Sequence, residues 1–163
     1  MKVFISGSIS IKKLPTAAIT KIDNIIKKNF TIIIGDAKGA DACVQKYLVK
    51  KQYGNVIVYF AGNKIRNNIG KWNVIAVACN CTERGKKLYT LKDIEMAKEA
   101  DYGLMIWDGK SEGTLNNISM MKSYEKKFFV VIEEMIVADS HVDAIIEINN
   151  RQLTVERSQV DLF

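Results

Sequence analysis

The sequence has few of the residues on which disulfide frameworks and metal sites depend. It contains three cysteines and one histidine, His141, among 163 residues. Structural zinc sites are built mainly from cysteine and histidine ligands, so we expect no metal site. An odd number of cysteines, without a secretory signal pattern at the N-terminus, is typical of a reducing compartment. We therefore predict a cytoplasmic protein.

Long hydrophobic runs are also absent from the sequence. No segment approaches the ~20 apolar residues that cross a membrane, so we expect no membrane partner. Hydrophobic residues make up 48% and charged residues 26% of the chain, which is usual for one globular domain. The net charge of +6 permits an anionic partner. The lysines are scattered rather than gathered in a stripe, which makes nucleic acid an unlikely partner. The sequence leaves the oligomeric state open, and this includes a homo-oligomer.

Proline occurs once, at Pro15, just before the first of several amphipathic segments. Short apolar segments alternate with these helical patterns and predict strands that begin near Lys2, Thr31, Val56, Tyr102 and Phe128. Residues 72–79 suit a further strand or a helix. The alternation predicts an α/β fold with an open, mostly parallel sheet flanked by helices.

The pattern weakens toward the C-terminus. We predict a core over residues 1–135 and a C-terminal extension over residues 136–163 that packs on the same domain. Within the extension, residues 145–148 and 153–155 flank Asn149 and Asn150. This arrangement is consistent with a hairpin that turns at the two asparagines.

Three glycine-bearing loops follow predicted strands. Ligands of open α/β sheets bind beyond the carboxyl ends of the strands, and amides at a helix start can hold a phosphate. The loops therefore predict a phosphate-bearing ligand. The candidate binding residues are Ser6, Gly7 and Ser8 in the first loop, Gly35, Asp36, Lys38, Gly39, Ala40 and Asp41 in the second, and Asp108, Gly109, Ser111, Gly113 and Thr114 in the third.

The segments FISGS, IGDAKGAD and ADYGLMIWDGKSEGT together resemble the SLOG superfamily over roughly residues 2–132. This superfamily of Rossmann-like proteins includes the Lonely Guy phosphoribohydrolases and the DNA-processing protein A family. The resemblance implies a Rossmann-like fold and a nucleotide or nucleotide-sugar pocket, with Arg66 as a phosphate contact. We predict a binding protein that senses, carries or sequesters a nucleotide-derived small molecule and needs no cofactor.

One departure from the related enzymes bears on catalysis. Lonely Guy enzymes carry a PGGxGTxxE pattern whose glutamate acts on the glycosidic bond, whereas this chain has Asn116 and Asn117 after Gly113-Thr114. An asparagine is neither a carboxylate nucleophile nor a general base. A hydrolase of N-glycosidic bonds is thus the alternative, with Glu112, Asp108 or Glu83 as its carboxylate. Single-stranded DNA binding ranks last.

Overall fold

A computed structural model describes residues 1–78 and 85–160, apart from the side chains of Lys86 and residues 153–160. The strands are β1 (Lys2–Gly7), β2 (Thr31–Gly35), β3 (Val56–Ala61), β4 (Asn73–Val77), β5 (Tyr102–Trp107), β6 (Lys127–Ile132) and β7 (Met135–Ala138). The helices are α1 (Thr16–Lys27), α2 (Ala40–Lys50), α3 (Lys86–Glu99), α4 (Glu112–Ser123) and α5 (Val142–Val160).

These strands form one sheet in the order β4-β3-β2-β1-β5-β6-β7. All neighbouring pairs are parallel except β6 and β7, which are antiparallel. The prediction of an α/β, Rossmann-like, mostly parallel sheet flanked by helices is confirmed. The strand order reverses at β1, which has β2 on one side and β5 on the other. Connections diverge at such a point and leave a crevice at the carboxyl ends of the strands.

The apolar run in β2 shows why the sheet is covered on both faces. Ile32 and Ile34 pack with α1 and α2, whereas Ile33 packs on the opposite face with α3 and α4. All three isoleucines are fully buried. Burial on both faces accounts for an unbroken apolar run rather than an alternating one.

The C-terminal segment differs from the predicted hairpin. Residues 142–160 form α5, and Asn149 and Asn150 lie inside this helix. Val142 is buried in the core beside α3 and α4, and Ile145 and Ile146 pack against the same cluster. Their spacing of three and four residues is that of a helix face, and it outweighs the turn tendency of the asparagine pair.

The segment over residues 72–79 is a strand at its described positions, since β4 covers Asn73–Val77. Cys79 and Cys81 lie outside the described residues. In the part of the chain that is described, none of the helices has the length and apolar character needed to cross a membrane.

Gly7 lies where β1, β5 and α2 come closest together. A Cβ on Gly7 would lie 2.4 Å from the carbonyl oxygen of Ile106 and 2.6 Å from the Cβ of Ala40. Neither atom belongs to a flexible side chain that can turn away. We therefore expect Gly7→Ala to lower the free energy of unfolding by about 1–3 kcal/mol, as overpacking does, in urea denaturation.

Gly54→Ala is the matched control for this prediction. A Cβ at Gly54 meets no atom within 4 Å, so this variant should unfold at nearly the wild-type urea concentration. Equal stability of the two variants would contradict a tight junction at Gly7.

Candidate functional site

A cleft of about 880 Å³ lies at the carboxyl ends of the central strands. Its walls come from the end of β1, the two segments that lead into α2 and α4, the loop after β3, and α3. The lining residues are Ser6, Gly7, Ile9, Ala37, Lys38, Asp41, Arg66, Asn67, Tyr89, Thr90, Lys92, Asp93, Lys110, Ser111, Glu112, Gly113, Thr114, Asn116 and Asn117.

The first turn of α4 forms one wall of the cleft. Thr114 Oγ1 lies 3.1 Å from the buried Ser8 Oγ, which also accepts a hydrogen bond of 3.0 Å from the backbone N–H of Asp108. These bonds hold the start of α4 beside β1. A Cβ on Gly113 would meet no atom within 4 Å, so the helix turns an open backbone surface toward the cleft.

The start of α2, unlike that of α4, is covered by other parts of the protein. The Ala40 N–H donates to the carbonyl oxygen of Ser8 at 3.1 Å, and the Ala37 N–H donates to Asp41 Oδ2 at 3.2 Å. Gly39 has a φ of +79°, and a side chain there would lie within 2.5 Å of the backbone of Ile9. The first loop therefore packs over the second, and Gly39 and Ala40 face protein rather than the cleft.

Arg66 reaches the cleft from the loop after β3. The buried carboxylate of Asp36 accepts bonds from its Nε at 3.1 Å, its Nη2 at 2.5 Å and its backbone N–H at 2.9 Å. Burial raises the pKa of Asp36, but the Arg66 hydrogen bonds outweigh it and hold this pKa below its usual value. Asp36 thus positions Arg66 and does not itself line the cleft.

The side-chain amides of Gln45 and Asn67 also hold the loop after β3 in place. Gln45, which is buried on α2, donates to the carbonyl oxygens of Gly35 at 3.0 Å and Asn67 at 3.3 Å. Asn67 donates to the carbonyl oxygen of Asp36 at 2.9 Å. The guanidinium of Arg66 lies 4.0 Å from the centre of the Tyr89 ring. The loop is therefore held with its cation stacked on an aromatic side chain of α3.

Sequence reasoning missed a largely buried cluster of charged side chains in the wall of the cleft. Lys92 on α3 is only 4% exposed, and its Nζ bonds to Asp93 Oδ1 at 2.7 Å. A Cβ on Gly35 would lie 2.5 Å from both Lys92 Nζ and Asp41 Oδ2. Gly35 therefore leaves room for these charges rather than for a ligand. The missed signal was a lysine four residues before the buried Met96, on the apolar stripe of the helix.

Asp41 and Lys92 differ in how readily each carries its charge in this cluster. Burial raises the pKa of Asp41 to about 6, although the nearby Lys92 ammonium favours the charged carboxylate. Burial also disfavours the charged form of Lys92, but Asp93 and Asp41 outweigh it and raise the Lys92 pKa. Lys92 is therefore a cation at neutral pH, and Asp41 gains its charge near pH 6.

Asp108 supports the third loop and does not line the cleft. Its carboxylate accepts bonds from the Lys110 and Ser111 N–H groups at 2.9 and 2.7 Å and from Ser10 Oγ at 2.6 Å. Burial raises the pKa of Asp108, and these bonds more than offset it, so the pKa is lowered. Gly109, with a φ of +77°, faces Asn149.

The other two carboxylate candidates differ in position. Glu112 lines the cleft, whereas Glu83 lies outside the described residues. The described residues contain no group of three or more histidine, cysteine, aspartate or glutamate side chains placed to hold a metal ion.

The environment of Asn117 is the second feature that sequence reasoning missed. From the sequence, this residue is notable only because it is not the glutamate of the Lonely Guy pattern. It is 3% exposed and donates from Nδ2 to Ser6 Oγ at 2.6 Å. Its Oδ1 is the buried side-chain oxygen that lacks a hydrogen-bond partner within the described structure. Buried polar atoms are nearly always paired, so an exception beside a cleft is informative.

The raised pKa of Asp41 predicts a pH-dependent stability. A carboxyl whose pKa is 3.8 unfolded and about 6 folded stabilises the fold when protonated. That contribution is full below pH 3.8 and is lost as the pH rises to about 6. At ~1.4 kcal/mol per pKa unit it amounts to about 2–3 kcal/mol. Wild-type should lose this much relative to Asp41→Asn between pH 4 and pH 7 in urea denaturation.

Asp23→Asn is the control for this measurement. Hydrogen bonds from Tyr47 and Lys51 lower the pKa of Asp23 despite some desolvation, so its contribution is lost as the pH falls below about 4 and should change little between pH 4 and pH 7. A difference between wild-type and Asp41→Asn that does not change between pH 4 and pH 7 would contradict the burial of Asp41.

Comparison with known proteins places the fold but not a family. No protein-family model and no curated protein matches the sequence. The fold is similar to a solved structure of DNA processing protein A from Helicobacter pylori, which is described by its mode of binding single-stranded DNA. The TM-score is 0.63 at 16% identity, over 99% of this chain and 81% of that one. This supports the Rossmann-like part of the resemblance, and membership of the SLOG superfamily stays a prediction.

The same comparison corrects one prediction. The scattered lysines predict that nucleic acid is an unlikely partner, and this prediction is wrong, since a protein of this fold binds single-stranded DNA. Spacing along the chain does not show how cations are arranged in space, since the fold brings residues 38, 66 and 110 to one cleft.

Proposed function

We propose that the cleft binds a nucleotide, with its phosphate at the first turn of α4. The observation that carries this proposal is the cleft over the strand-order reversal, with α4 opening onto it at Gly113. The start of a helix favours anions because its first backbone N–H groups are free to bond and the helix dipole places a partial positive charge there. Ser111 precedes the helix and makes no side-chain capping bond to it.

The charges of the cleft favour a small number of phosphates. Lys38, Lys110 and Arg66 line it as cations, but Asp36 is paired with Arg66. Lys92 is paired with Asp93 in the same way. The remaining positive charge is modest, so the backbone of α4 would provide much of the anion binding.

The base has a candidate platform at Tyr89. This side chain is 38% exposed and carries the Arg66 guanidinium against its ring. Arginine and aromatic faces both stack on nucleobases. A base placed there would extend the existing stack, while its phosphate would lie across the cleft at α4.

Single-stranded DNA is the second candidate ligand, and the fold similarity to DNA processing protein A favours it. A strand would present the same units of phosphate, sugar and base to the same cleft. It would also continue past the cleft, so its affinity should rise with length, whereas the affinity of a single-site nucleotide ligand should not.

Hydrolysis of an N-glycosidic bond remains the enzymatic alternative. Among the described residues, three carboxyl groups line the cleft, those of Asp41, Asp93 and Glu112. Asn117 holds the position at which the Lonely Guy pattern, which the sequence resembles, has its glutamate, and its amide is bonded to Ser6. Retention of the bound nucleotide is therefore the expected behaviour, and release of free base in chromatography would favour the hydrolase.

Gly113→Val tests the proposed phosphate position. A branched side chain would fill the open space over the first turn of α4, so we expect the affinity for nucleoside 5′-monophosphates to fall at least tenfold in calorimetry. Gly54→Val is the matched control, since its side chain also enters open space but lies away from the cleft-lining residues. Its affinity should equal that of wild-type.

A fluorescent oligo-dT of 20 nucleotides, measured by anisotropy, separates the two candidates. Binding of this oligomer without measurable binding of any mononucleotide, and weakened by Gly113→Val, would favour single-stranded DNA. Nucleotide affinity that is unchanged in Gly113→Val would overturn the proposed phosphate position.

A further inference from the structure

The amide of Asn117 is a polar group that the protein alone leaves half satisfied. Its Nδ2 is bonded to Ser6 Oγ, and its Oδ1 is buried without a partner among the described residues. Both Asn117 and Ser6 line the cleft. The hydroxyl of Thr114, one turn earlier, is engaged with Ser8 and Ser111. Since no described residue pairs with this oxygen, the cleft is where we expect its partner to bind.

The chemistry of the amide favours a hydroxyl group as its partner. The hydroxyl of Ser6 can donate or accept, so it can face either end of the amide. The last side-chain torsion of asparagine is broad and roughly two-fold, so the amide can turn either its oxygen or its nitrogen toward a ligand. A phosphate oxygen only accepts and an ammonium only donates, whereas a ligand hydroxyl matches the amide in both orientations.

The position of Asn117 on α4 indicates which part of a nucleotide would carry this hydroxyl group. It lies three residues after Thr114, and side chains of a helix lean toward its N-terminus. The amide is therefore within about one turn, ~5 Å, of the first turn that the proposed function assigns to the phosphate. In a nucleotide the sugar is adjacent to the phosphate and the base is farther away.

We infer that Asn117, held by Ser6, is a sugar subsite that selects ligands with a free ribose hydroxyl. This inference rests on the proposed function and names its ligand class as ribonucleotides. The amide gives the site a neutral partner for a hydroxyl. A carboxylate at the same place would repel the neighbouring phosphate and could react with the sugar.

Calorimetry with the four ribonucleoside 5′-monophosphates and their 2′,3′-dideoxy counterparts tests the inference. Wild-type should bind at least one ribonucleotide ten or more times as tightly as its dideoxy counterpart. Asn117→Leu keeps a similar volume without the amide, so its preference should fall to within twofold of unity while its affinity for the dideoxy nucleotide stays near that of wild-type. If the leucine variant does not fold, Asn117→Ala should show the same loss of preference for the ribonucleotide.

Asn24→Leu is the matched control because Asn24 is exposed on α1 and is not a cleft-lining residue. It should keep the full ribose preference. Equal wild-type affinity for ribonucleotides and dideoxynucleotides would overturn the inference and leave the proposed function standing. Equal wild-type affinity for eight-residue oligo-rU and oligo-dT would have the same consequence. Failure of every mononucleotide and both oligomers to bind would overturn both.

Discussion

The cleft depends on the close approach of β1 to β5 and α2 at Gly7. No side chain fits between Gly7 and the carbonyl oxygen of Ile106, so β1 ends with its loop pressed between two neighbours. The next residue, Ser8, then bonds to Thr114 and to the Asp108 N–H. Through these contacts the strand-order reversal fixes where α4 begins, and thus where its first turn meets the cleft.

The two helix starts beside β1 have different roles although both follow glycine-bearing loops. At α2 the amides bond to Ser8 and Asp41, and Asp41 belongs to a buried cluster with Lys92 and Asp93. At α4 the backbone over Gly113 is open. The first helix start therefore stabilises the fold, and the second is the one with room for a ligand.

The sequence was sufficient to predict the fold because the strands are unbroken apolar runs and the helices are amphipathic. It also placed three loops at one edge of the sheet. It could not show that Gly39 faces the backbone of Ile9, because spacing along the chain does not reveal which loop packs over which. Lys92 and Asn117 were missed for a related reason: their importance comes from burial among partners distant in sequence. The α5 helix was missed because a local turn signal was given more weight than packing.

The most direct test of the central claim is a titration of the ¹⁵N-labelled protein with ribonucleoside 5′-monophosphates and with inorganic phosphate, followed by amide NMR. The account predicts that the Gly113 and Thr114 backbone signals move with both additives and that the Asn117 side-chain signals move with the nucleotides. The Gly39 and Ala40 signals should stay in place. Shifts centred on Gly39 and Ala40, or none at Gly113 and Thr114 at saturating nucleotide, would contradict it.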